Sequence, residues 1–96
     1  MINLEPEYIE FIKQTVASHL KKYKLYIFGS RVTGKARQYS DIDLALDSAE
    51  LTGEVKSKLE FIFENSTMPY EVDIVDLRKI SEKFKNIISK DLVLLN

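Results

Sequence analysis

Gly29-Ser30-Arg31-Val32-Thr33-Gly34-Lys35-Ala36-Arg37-Gln38-Tyr39-Ser40-Asp41-Ile42-Asp43 is the stretch on which the reading of this chain turns. A short run ending in β-formers, Lys24 to Phe28, halts at Gly29, and a small hydroxyl residue follows. Glycine lets another group approach the backbone closely, and successive N–H groups after such a turn form an anion-binding concavity. Ser30 adds a side-chain donor, and Arg31, Lys35 and Arg37 place three cations within seven residues, a match to a triphosphate. No Gly-Lys-Ser/Thr follows four spacer residues, so this is not a Walker A loop.

Downstream, Asp41 to Leu46 alternates. Asp41, Asp43 and Ala45 point one way, and Ile42, Leu44 and Leu46 the other. The two carboxylates are about 6.6 Å apart along the strand at a rise of ~3.3 Å per residue. Two of their oxygens can converge on a hard cation such as Mg²⁺, which commonly binds through one or two carboxylates plus substrate phosphates. Taken alone, a Gly-Ser pair is usually a turn and Asp-x-Asp a solvated strand edge. Together, and beside a buried Ile-x-Leu-x-Leu face, two like charges on one strand face are unfavourable without a cation.

Outward from this stretch, the periodicity predicts a helix from about Pro6 to Lys22, with Ile9, Ile12, Val16 and Leu20 on one face. A second helix is expected over Thr52 to Asn65, its stripe formed by Val55, Leu59, Ile62 and Phe63, with Phe61 to Phe63 read as core. Met68 and Pro69 break it. Glu71 to Asp76 reads as a strand, Ser81 to Lys90 as a helix carrying Phe84, Ile87 and Ile88, and Leu92 to Leu95 as an apolar tail able to add a strand. Strands alternating with helices give an α/β or α+β domain, 1–96, in which a small mixed sheet is covered by helices mainly on one face.

Ninety-six residues make one small domain, without internal repeat or linker. The absence of cysteine removes disulfides and thiolate zinc, and suits a cytoplasmic setting. Glu5, Glu7 and Glu10 argue against a signal peptide, and no apolar run approaches the roughly 18 residues of a membrane span. A net charge of −1 argues against a domain built to grip extended nucleic acid. A single histidine, His19, cannot make a metal site and reads as a surface residue on a helix.

Gly-Ser, ten residues, then Asp-x-Asp resembles the signature of the DNA polymerase β-like nucleotidyltransferase superfamily. The run from Gly29-Ser30-Arg31 to Ser40-Asp41-Ile42-Asp43-Leu44-Ala45 is similar to its minimal, MNT-type branch, and the likeness extends over nearly the whole chain. The resemblance implies attack of a hydroxyl on the α-phosphate of a nucleoside triphosphate, ATP by preference, with release of pyrophosphate. It implies that Asp41 and Asp43 hold Mg²⁺ in a two-metal site. The third carboxylate matches Asp73 in Val72-Asp73-Ile74, which would also help deprotonate the acceptor. Asp76 competes for that place, but an acid at a strand's end is more often a cap, and Asp73 is favoured. Gly29, Ser30, Arg31, Lys35 and Arg37 are the implied triphosphate contacts. One departure is visible: Val32-Thr33 stands where the family often has Ala-Arg, so the loop lacks one cation.

Three strands and three helices consume the chain, leaving nothing to grip an acceptor. The resemblance implies a small helical HEPN-type partner, with the chain acting as the antitoxin that adenylylates it. Two other readings stand beside this one: a non-catalytic module that masks the partner, and a small-molecule nucleotidyltransferase.

Overall fold

Pro6 takes the first position of helix α1 (Pro6–Ala17), where its missing N–H is no loss, and Glu7 lies in the positive first turn. The structure, a computed structural model, describes residues 2–96. α1 stops at Ala17, short of the expected Lys22, because side chains compete for its last carbonyls. The Ser18 hydroxyl donates to the Thr15 carbonyl, and His19 Nδ1 lies 2.8 Å from the same oxygen. Leu20 is buried nonetheless, from the connector rather than the helix.

Strand β1 (Lys24–Phe28) leads into a one-turn helix α2 (Ser30–Thr33), where the glycine-flanked sequence predicts a loop. Gly29 before it and Gly34 after it both have positive φ. Strand β2 (Ile42–Asp47) begins one residue later than expected and leaves Asp41 just outside. Helix α3 (Gly53–Glu64) is capped by Thr52, whose hydroxyl accepts from the Val55 N–H, and it crosses over to strand β3 (Val72–Asp76). Helix α4 (Glu82–Ser89), capped by Ser81, and the two-residue strand β4 (Val93–Leu94) complete the described chain. Among the described residues no helix is long and apolar enough to cross a membrane.

The strands form one mixed sheet in the order β3-β2-β1-β4, with β2 parallel to β3 and the other pairs antiparallel. Strand periodicity divides it cleanly. Leu25, Ile27, Ile42, Leu44, Leu46 and Ile74 face α1 and α3 in the main core, where Phe11 meets Phe63 edge-on. Phe28, Ala45 and Val75 face the other way, and Leu77 and Ile88 join them, so α4 lies on the side opposite the two longer helices. Ile88 alone in α4 is buried; Phe84 and Ile87 are exposed. Of the run Phe61 to Phe63, Phe63 is core, Ile62 is half-buried and Phe61 is 66% exposed, correcting the reading of all three as core. Three consecutive helical residues span about 200°, wider than one apolar face covers.

Candidate active site

The register of three strands places the acidic residues. Phe28 pairs with Asp43 across β1 and β2, and Asp43 pairs with Asp73 across β2 and β3. Directly paired residues project to the same side of a sheet, so Asp43 and Asp73 stand side by side on the α4 face, one row beyond Ala45 and Val75. Asp41 lies two residues before Asp43, and the ladder reaches back to the Ile42 N–H, which donates to the Glu71 carbonyl. Asp41 and Asp73 are exposed and Asp43 is half-buried.

Asp76 is elsewhere. It pairs with Leu46 on the core face, is buried, and accepts the Arg78 N–H as a cap for the turn after β3.

Burial, then the neighbouring Asp73 and Asp41 charges, push the Asp43 carboxyl above the ordinary carboxylate range. Among the described residues no lysine or arginine forms an ion pair with Asp41, Asp43 or Asp73. Nor is any group of three His, Cys, Asp or Glu side chains gathered closely enough to hold a metal unaided. The set is therefore partial: hard oxygen donors whose mutual repulsion a divalent cation would relieve, with its remaining coordination open to water and phosphate.

Gly29 is the floor of the site. Its φ of +82° disfavours any side chain, and a Cβ there would run into Asp43 Oδ2 and lie 3.3 Å from its Cγ. The glycine turn and the first strand carboxylate, fourteen residues apart in sequence, are thus in contact. Ser30 opens α2, so its N–H lies among the groups that have no acceptor within the helix. Lys35 and Arg37 are exposed on the loop that follows and take part in no ion pair among the described residues. A tight turn shapes that loop, the Arg37 N–H donating to Ser40 Oγ at 2.7 Å and the Ser40 N–H to the Arg37 carbonyl at 3.1 Å.

Arg31 does not join that cluster. It is 3% exposed and turned into the fold: Nη1 donates to the Asn3 carbonyl at 3.0 Å and Nη2 to the Ser40 carbonyl at 2.7 Å. Its guanidinium carbon lies 4.3 Å from the centre of the Tyr70 ring, and Tyr70 in turn donates its hydroxyl to Glu5. No local pattern signals Asn3 or Tyr70 as neighbours of Arg31, because those contacts span 28 and 39 residues of chain. Tyr70 also lines a groove of about 710 Å³ between α3 and the start of β3, together with Glu60, Glu64, Glu71, Asp73 and the apolar Met68, Pro69 and Val72.

Comparison with known proteins follows the same lines. A family model described as Polymerase beta, Nucleotidyltransferase matches residues 10–96. The chain is 36% identical over 95 residues to a protein of Haemophilus influenzae named Probable protein adenylyltransferase MntA, covering 98% of this chain and 83% of that one. Among solved structures, a toxin-antitoxin with AMP-PNP superposes with a TM-score of 0.78 at 27% identity, over 92% of this chain and 72% of the other. The complex of tri-AMPylated Shewanella oneidensis HEPN toxin with MNT antitoxin gives 0.73 at 24% identity, over 97% and 72%. At that identity the second likeness speaks for the fold alone.

Proposed function

This chain belongs to the polymerase β nucleotidyltransferase family, and from that membership we propose that it transfers AMP from ATP to a hydroxyl of a small helical HEPN-type protein, as the antitoxin of a toxin-antitoxin pair. The observation that carries the proposal is the meeting of Gly29 with the Asp43–Asp73 row at one end of the sheet. That meeting puts a phosphate-accepting turn against carboxylates in need of a counter-charge. A relative named as an adenylyltransferase and a structural neighbour holding AMP-PNP support the nucleotide chosen.

In this reading Asp41 and Asp43 are the metal-binding carboxylates, and Asp73 completes the set. Mg²⁺, when bound, supplies charge neutralisation along the triphosphate and lowers the barrier to ionising the acceptor hydroxyl. The Ser30 hydroxyl and the N–H groups after Gly29 bind phosphate oxygens, and Lys35 and Arg37 add charge from the loop. Asp73, exposed on the edge strand, takes the acceptor's proton. The acceptor oxygen forms its bond to the α-phosphorus as the α–β bridging bond breaks, and pyrophosphate departs with that electron pair. The partner supplies the wall that this chain lacks, presenting its hydroxyl, a tyrosine by preference, beside Asp73.

Incubation of the two proteins with ATP and Mg²⁺, followed by mass spectrometry of the partner, tests this directly. The expected result is added AMP on the partner, and none with Asp41→Ala. Tight association with no transfer, under several nucleotides and metals, overturns the enzyme reading in favour of a masking subunit.

A further inference from the structure

A buried guanidinium without a carboxylate partner is an expensive arrangement, since desolvation of the charge has to be met by neutral groups alone. Arg31 is such a case. No ion pair reaches it among the described residues, its Nε is buried without a hydrogen-bond partner, and two carbonyls and one aromatic face answer its charge. What those groups have in common is position. Ser40 immediately precedes Asp41. Tyr70 lies three residues before Asp73. Asn3 not only accepts from Nη1 but also returns its own N–H to the Arg31 carbonyl at 2.7 Å. Arg31 itself sits two residues after Gly29, against which Asp43 rests.

We propose that Arg31 is a positioning residue: its planar fork ties the end of the 34–41 loop, the segment entering β3 and the start of the chain to α2, and so sets the spacing of Asp41, Asp43 and Asp73. The proposal rests on the adenylyl-transfer reading above for its catalytic consequence, though not for its structural one. A phosphate contact needs only positive charge within reach. A fork holding two carbonyls and stacking on a ring needs the guanidinium plane, which lysine lacks. The two roles therefore part on a conservative substitution.

In Arg31→Lys, ATP affinity measured by direct binding should stay within about twofold, because ground-state contacts are kept. Transfer at saturating ATP should fall about tenfold to 100-fold, the penalty for displacing reacting groups by ~1 Å. Amide hydrogen exchange should quicken across residues 35–41 while melting remains cooperative. Tyr70→Leu, which removes the stacking ring, should move transfer and exchange the same way by a smaller factor, and it carries the test if Arg31→Lys does not fold. Arg31→Lys that weakens ATP binding as much as the Lys35→Ala, Arg37→Ala double variant, with transfer at saturation intact, overturns the proposal in favour of phosphate contact. Unchanged exchange in residues 35–41 overturns it as well. If the parent protein itself transfers nothing, the adenylyl reading has failed, and the exchange measurement alone decides whether Arg31 holds the loop.

Discussion

At the scale of single residues, two glycines share a positive φ but not a backbone: Gly29 has ψ of −152°, a region closed to side chains, and Gly34 has ψ of 10°, in the left-handed helical region. Gly29 and Gly34 have φ of +82° and +83°, but a Cβ at Gly34 meets nothing within 4 Å, whereas at Gly29 it meets the Asp43 carboxylate. Gly34→Ala should cost only the left-handed penalty of about 1–2 kcal/mol, read as a fall in melting temperature. Gly29→Ala should cost more than that, through its backbone as well as its contact, and remove transfer because Asp43 has to move; transfer retained in a folded Gly29→Ala protein would mean the contact is unimportant. Asp43→Asn should lower transfer by orders of magnitude while relieving the fold. The native state holds the Asp43 proton more tightly than the unfolded chain, so the ionised form weighs on stability above the ordinary carboxylate range and not below it. In metal-free buffer the variant should therefore melt higher than the parent near pH 7, the gap closing as the pH falls to about 4. A gap independent of pH would assign it to something other than this carboxylate. Strand period 2 puts Asp41 and Asp43 on one side without tertiary knowledge, whereas Asp73 was matched only through the resemblance, and it is the parallel register that sets it beside Asp43. The placement of Arg31 was not legible beforehand, since its partners are main-chain carbonyls, which carry no residue identity, and a ring 39 positions away.

At the scale of elements, the cores were legible and the ends were not. α3 follows its 3.6-residue stripe, with Leu59 and Phe63 buried and a Thr52 cap. α1 ends five residues early because Ser18 and His19 bond back to Thr15, a competition that apolar spacing does not register. α2 is too short for any periodic signal, and only the flanking glycines hint at it. The second apolar cluster escaped altogether, as it needs Ile88 to reach across to Phe28 and Ala45. α4 is attached chiefly through that one side chain, so Ile88→Ala should cost about 2–5 kcal/mol by loss of burial and a cavity. Hydrogen exchange should then show α4 opening while α1 and α3 stay protected. Uniform loss of protection would mean that the two faces of the sheet are not separable units.

At the scale of the whole molecule, fifteen acidic and fourteen basic side chains nearly cancel, yet they are not evenly spread. Acid lines the groove along β3, and Lys35 and Arg37 are exposed on the loop after α2. A partner that fills this end of the sheet should carry basic residues, and its association should weaken as salt rises. ATP and Mg²⁺ together should stabilise the chain by about 2.7 kcal/mol at a hundredfold excess over the dissociation constant. For a domain of this size that is a rise of roughly 10 °C or more at 4–8 °C per kcal/mol. The doubly substituted Asp41→Ala, Asp43→Ala protein should show no such rise in a thermal scan. The parallel pairing of β2 with β3 also bears on the order of events as the chain folds. β1 and β2 pair across a short connection, while β3 arrives only after the α3 crossover, and with it Asp73 is brought up against Asp43. Contacts across longer loops tend to form later, so this repulsion is felt on the native side of the rate-limiting barrier. Removing it with Asp43→Asn should slow unfolding and leave the refolding rate nearly unchanged in a stopped-flow chevron.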